Sequence, residues 1–121
     1  MPHCLLEASA NLLDKPDWAA LLREVNGTLA ATGLFKEADI KSRFVSHGCF
    51  VIGDGAPDQA FVTLNVQILG DRSDEVKARL SETLLPLLAG AFPRTLAEMT
   101  CSLTVQITDI HRPSYRRQIS Y

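Results

Sequence analysis

Ala60-Phe61-Val62-Thr63-Leu64-Asn65-Val66-Gln67-Ile68 sets Ala60, Val62, Leu64, Val66 and Ile68 in strict alternation with Phe61, Thr63, Asn65 and Gln67. That period of two predicts a strand. The turn Gly70-Asp71-Arg72-Ser73 follows, with Ser73 placed as a helix N-cap and Asp74 and Glu75 suited to the positive helix end. Val76, Leu80, Leu84, Leu87 and Leu88 then keep helical spacing, and Pro86 inside the run predicts a kink or an early end. Met99, Cys101, Leu103, Val105 and Ile107 alternate with Thr100, Ser102, Thr104 and Gln106, giving a further strand.

Upstream, the same unit occurs once before. Residues 2–9 predict a short strand, and the turn-like Asn11–Pro16 leads to Asp14 or Asp17 as the cap of a helix. Trp18, Leu21, Leu22, Val25 and Leu29 carry that helix from Asp17 to Thr32, and Gly33 closes it. Asn26-Gly27 weakens its middle. A second strand is expected from about Ile40 to Ile52, before the turn Gly53-Asp54-Gly55-Ala56-Pro57. The two copies, residues 2–56 and 58–110, repeat at an offset of about 57 positions. The expected fold is therefore α/β in the α+β sense: duplicated β-α-β units forming a four-stranded sheet with two helices on one face. It is expected as a single domain over residues 1–121, ending in a tail at 111–121. The helices cover one face only, and strands rich in Val, Leu and Ile predict that oligomerisation hides the other.

Composition narrows the partners. The 121 residues are 46% hydrophobic and 21% charged, with a net charge of −2. This is an ordinary globular balance with no pull toward nucleic acid or anionic membrane. No apolar run reaches a membrane span and no signal-peptide pattern opens the chain, so the expected location is cytoplasmic. Cys4, Cys49 and Cys101 lack the spacing of a disulfide framework or zinc site, and His47-Gly48-Cys49 supplies two ligands at most. All three cysteines fall in strand-like segments, where free cysteine is expected to pack as a small hydrophobe.

The chemistry-bearing residues gather around Pro2. If Met1 is removed, Pro2 becomes a secondary amine. Burial or nearby cations lower the pKa of such an amine and leave it a neutral general base. Only the first copy opens on proline, so one site per chain is expected. Lys41 and Arg43 lie two apart on a strand and share a face. Arg72 sits in the turn before the second helix, where helix-end amides also favour anions. His3 is open between a packing or hydrogen-bonding group and an acid. Glu7 shares a face with His3 and Leu5, and is open between a site residue and an inter-subunit ion pair. Phe44 and Phe50 are open between an apolar wall beside the amine and plain core packing. The basic tail, His111-Arg112-Pro113 to Arg116-Arg117, is expected to contact a neighbouring subunit.

Met1-Pro2-His3 with Glu7, Val25-Asn26, Thr28-Leu29-Ala30-Ala31-Thr32-Gly33, Ile40-Lys41-Ser42-Arg43, Ala60-Phe61-Val62 and Gly70-Asp71-Arg72-Ser73 together resemble the tautomerase superfamily. Within it they look most like the 5-carboxymethyl-2-hydroxymuconate isomerases of homoprotocatechuate breakdown. The resemblance runs to about Ile110 and weakens over Ser46–Ile52 and the tail. It implies a homotrimer with sheets facing inward, acting on a small acidic substrate with neither metal nor organic cofactor. The implied reaction converts a dienol to its unsaturated keto form. Pro2 takes the proton of the 2-hydroxyl and returns one to carbon, while cations bind the carboxylates. With the resemblance, Arg72, Arg43 and Lys41 are expected to bind the substrate, and His3 and Phe44 stand beside them as further substrate-binding candidates. Members often carry arginine where this chain has Lys41, which loses the bidentate fork. Two other expectations stay open: a different proline-based tautomerase activity, or a non-catalytic oligomeric ligand-binding protein with Pro2 inert.

Overall fold

The computed structural model describes residues 1–120, in the order β1 (His3–Ser9), α1 (Trp18–Ala31), β2 (Lys41–His47), β3 (Gln59–Leu69), α2 (Asp74–Ala89), α3 (Pro93–Glu98) and β4 (Thr100–Ile110). Single 3-10 turns occupy Glu37–Asp39 and Arg112–Ser114. The strands form one four-stranded sheet in the order β2-β1-β3-β4. β1 is parallel to β2 and β3 is parallel to β4, as crossover helices require. The two units meet antiparallel, His3 standing opposite Gln67. This register places the start of β1, the start of β2 and the ends of β3 and β4 at one end of the sheet.

The duplicated units follow from local chemistry. Asp17 Oδ1 accepts the N–H of Ala20 at 3.1 Å and starts α1. Ser73 Oγ accepts the N–H of Val76 at 3.2 Å and starts α2. Gly33, just past α1, takes a φ of +77°, a conformation glycine adopts without steric cost. Asn26 does not break α1, because its side-chain oxygen accepts a hydrogen bond from Ser42 Oγ of β2. The expected kink or early stop at Pro86 is not the outcome: α2 runs on to Ala89. Pro86 is exposed, so the carbonyl its missing N–H would have met is left to water.

The helices pack on one face of the sheet. Leu21, Val25 and Leu29 of α1, and Leu80, Leu84 and Leu88 of α2, close over Cys4, Leu6, Val62, Leu64 and Val66. Phe92, fully buried, fills the space beside them. The helix α3 had no counterpart in the apolar spacing. Pro93 opens it, and Asp14 bonds to the first free N–H groups, those of Arg94 and Thr95.

Two expectations are corrected. β2 ends at His47, not near Ile52, since β1 stops at Ser9 and leaves nothing to pair with beyond it. Cys49 consequently lies in the exposed loop after β2, whereas Cys4 is buried and Cys101 partly buried. The second correction concerns the open face. The Val, Leu and Ile of the strands turn toward the helices, and the open side carries His3, Glu7, Arg43, Thr63, Asn65 and Gln67, with Leu5, Val45 and Phe61 among them. It is a mixed surface and not an apolar sheet. No helix among the described residues is long and apolar enough to cross a membrane.

Candidate active site

Pro2 is fully buried at the mouth of β1, and its carbonyl accepts the N–H of Lys41 at 3.1 Å. The parallel pairing of β1 with β2 thus fixes the proline ring at the sheet end. A cleft of about 610 Å³ opens beside it, walled by Met1, His3, Asp39 and Lys41 on one side and by the tail from Tyr115 to Ile119 on the other.

Cations surround that point. Lys41 Nζ donates to the Asp39 carbonyl at 2.8 Å and lies 3.7 Å from Met1 Sδ. Arg117 reaches back from the tail, with one guanidinium nitrogen 3.6 Å from Met1 Sδ and another 3.3 Å from Asp39 Oδ1. Arg72 donates to the Leu34 carbonyl at 3.0 Å, and its guanidinium stands 5.4 Å from the centre of the Phe35 ring. A guanidinium over a ring is attracted to its face, and the carbonyl bond and the ring together hold the side chain in place. The preceding residue, Asp71, has a φ of +100°, which costs a non-glycine residue free energy. Arg112 clamps it through a 2.7 Å ion pair with Oδ2.

The electrostatics follow. The Met1 α-amine is held below its ordinary value of 8.0, chiefly by burial, with Lys41, Arg117 and Arg72 adding to the fall and Asp39 opposing it. His3 is likewise lowered from 6.5, first by burial and then by Arg43, Lys41 and the amine. Arg43 approaches its Nδ1 at 3.4 Å. The end of the sheet therefore holds an α-amine with a lowered pKa beside several cationic side chains.

Pro2, His3, Lys41, Arg43 and Arg72 are accordingly brought to one end of the sheet. Phe44 is not. It points to the helix side, where its ring lies 3.7 Å from that of Trp18 at an interplanar angle of 9°. Strand alternation puts it on the opposite face from Lys41 and Arg43. Phe50 packs edge-on against Phe61 at 6.0 Å, toward the far end of the sheet. Glu7 pairs within its own chain with His47 at 2.9 Å, also away from Pro2. The tail folds back on its own chain, Arg112 pairing with Asp71 and Arg117 with Asp39 on the cleft wall. Of the cleft-lining charges, Asp39 was not singled out in the sequence, and Arg117 was read only as part of the basic tail. Asp39 stands two positions before Lys41, and Arg117 stands in the basic tail, but nothing in the spacing joins them.

A duplicated strand-helix-strand sheet, opening on a proline beside a cation-lined cleft, defines the tautomerase fold class. The model of the 5-carboxymethyl-2-hydroxymuconate isomerase family matches residues 2–119, and the chain belongs to that family and is an isomerase. It is 33% identical over 111 residues to the 5-carboxymethyl-2-hydroxymuconate Delta-isomerase of Escherichia coli, covering 92% of this chain and 88% of that protein. The crystal structure of a 5-carboxymethyl-2-hydroxymuconate isomerase from Deinococcus radiodurans R1 superposes with a TM-score of 0.90 at 29% identity, covering 98% of this chain and 90% of that one. The same fold recurs at 18% identity in a fused 4-OT symmetric trimer, with a TM-score of 0.69 over 89% of this chain and 85% of that one.

Proposed function

We propose that this chain isomerises 5-carboxymethyl-2-hydroxymuconate in homoprotocatechuate breakdown in the cytoplasm, with Pro2 as general base after removal of Met1. The observation that carries the reading is the seat of Pro2, a buried ring at the start of β1 beside a cleft lined by Lys41 and Arg117, with Arg72 among the cations acting on the terminal amine. Family membership supports the reaction type.

Once Met1 is removed, the chemistry runs through groups that the fold brings to this end of the sheet. The secondary amine of Pro2 takes the proton of the substrate 2-hydroxyl, and the oxygen's electron pair moves into the conjugated chain as the ketone forms. The protonated amine then returns a proton to carbon along that chain, so that no net proton is consumed. Lys41, Arg43 and Arg72 bind the carboxylates and stabilise negative charge on the dienolate oxygen. His3, whose Nδ1 lies 3.4 Å from Arg43, orients that guanidinium. Phe44 has no part in this scheme.

The assembly we propose is a homotrimer with the open sheet faces inward. Its mixed Leu5, Val45, Thr63 and Asn65 surface resembles a polar oligomer core, and the fused 4-OT neighbour is a symmetric trimer. The test is intact-mass spectrometry and sedimentation on the same preparation used for a dienol-isomerase assay. A chain lacking methionine, sedimenting as a trimer and turning over the dienol, is the expected result. Turnover by a chain that keeps its methionine removes Pro2 from the chemistry.

A further inference from the structure

Arg117 and Asp39 form an ion pair across the cleft that the scheme above leaves without a role. The tail brings Arg117 back to the cleft that Lys41 also lines, beside Met1, the residue whose removal frees the Pro2 amine. The other contact of Arg117 is Asp39 Oδ1 at 3.3 Å, and both side chains of the pair keep about a third of their surface exposed, 32% and 29%. A pair this open is weak and easily exchanged. Asp39 is also the one carboxylate on the cleft wall among the described residues, set among groups suited to anions.

We propose that Arg117 is a ligand for a substrate carboxylate, and that Asp39 occupies it until substrate arrives. The guanidinium offers its planar fork to whichever carboxylate is in reach. In the free chain that is Asp39. A polycarboxylate held by Lys41 and Arg72 competes for the same donors and draws the tail down on the cleft. Arg117 thereby supplies the bidentate contact that lysine at position 41 cannot. Asp39 sets the threshold, rejecting ligands with too few carboxylates to displace it. The inference rests on the isomerase reading only for the identity of the ligand.

The test uses propane-1,2,3-tricarboxylate, which cannot be isomerised, titrated calorimetrically into the full chain. Arg117→Ala is expected to weaken binding about tenfold or more, as loss of a charged hydrogen-bond pair does, and Arg117→Lys to restore part of it. Asp39→Asn is expected to tighten binding severalfold, and most of that gain should vanish in the Arg117→Ala background. Binding unchanged in Arg117→Ala, no tighter in Asp39→Asn, or absent from the unsubstituted chain overturns the proposal. A chain that binds the tricarboxylate as described but does not turn over the dienol sinks the isomerase reading and leaves this one standing.

Discussion

Asp14 and Thr95, 81 positions apart, hold each other through two hydrogen bonds of 2.7 Å, the Thr95 N–H and hydroxyl both donating to Asp14 Oδ2. The threonine oxygen in turn accepts the N–H groups of Leu13 and Asp14 at 3.1 and 3.2 Å. One fully buried hydroxyl thus joins the segment leading into α1 to the first turn of α3. In the sequence Asp14 was one of two candidate caps for α1. It caps α3 instead, and Asp17 caps α1.

This cluster makes stability depend on acid. Partial loss of water works to raise the Asp14 pKa, but the bonds from Thr95 and the Arg94 N–H outweigh it and hold the carboxyl below its ordinary 3.8. A carboxyl depressed on folding contributes stability that is present above 3.8 and is lost as pH falls through the folded value. Asp14→Asn is therefore expected to be less stable than the unsubstituted chain at pH 7 and to differ less from it in strong acid. Thr95→Val, which orphans the donors around it, is expected to cost about 1–3 kcal/mol. Urea midpoints at several pH values check both, and an equal loss for Asp14→Asn at every pH would remove the carboxylate's charge from the explanation.

Phe44 separates packing from chemistry. Its stack on Trp18 joins β2 to α1, and Trp18 also leans on Phe92 at 5.8 Å. Phe44→Ala is expected to cost roughly 3 kcal/mol, the lower end for a large-to-small change at a part-buried ring. At a temperature where the variant is folded, its KM for the dienol should be unchanged. A selective rise in KM with stability intact would bring Phe44 back to the site.

These two residues show what was legible in the sequence. Alternation and helical spacing expose the faces of β3, β4, α1 and α2, because burial on one side imposes the period directly. Pro2, Lys41, Arg43 and Arg72 were legible as a group because three of them sit at element ends that the duplication brings together, and the fourth lies two positions along β2. Phe44 misled because its hydrophobicity suits a pocket wall and a core equally, and only the sheet register decides between them. Helix α3 was hidden because six residues are too few to show a period. Its stabilising partner, Asp14, lies at the other end of the chain. Asp39 and Arg117 meet only through the path of the tail, and no local pattern encodes that path.

The charges around the amine predict how the rate responds to pH. At the Met1 amine, burial lowers the pKa first, Asp39 raises it, and Lys41, Arg117 and Arg72 lower it further. On the proposed reading, the Pro2 amine one residue along the chain is expected to respond to the same charges. The acid limb of kcat/KM reports the free enzyme's base. Removing an anion disfavours the protonated amine, so Asp39→Asn should move that limb to lower pH. Removing a cation does the reverse, so Lys41→Met should move it to higher pH. Shifts in the same direction for both variants would show that the limb belongs to another group.

Arg72 is held in place by its own neighbours, as the proposed carboxylate contact needs. The Leu34 carbonyl takes one of its N–H groups, the Phe35 ring lies against the guanidinium, and the strained Asp71 beside it is clamped by Arg112. Holding the side chain in this way removes entropy that binding would otherwise cost. Arg72→Ala is therefore expected to lower kcat/KM by roughly 10- to 100-fold, the loss usual for a charged contact to substrate. Arg72→Lys should recover little of it, since an ammonium neither stacks on Phe35 nor presents a fork to a carboxylate. The division between constants identifies what Arg72 does. A rise in KM alone means that it holds a carboxylate equally in ground and transition states, whereas a fall in kcat means that it meets the charge developing on the dienolate oxygen. Steady-state kinetics on the three proteins decides this, and unchanged constants in Arg72→Ala would make the residue a clamp on the Leu34–Phe35 loop and nothing more.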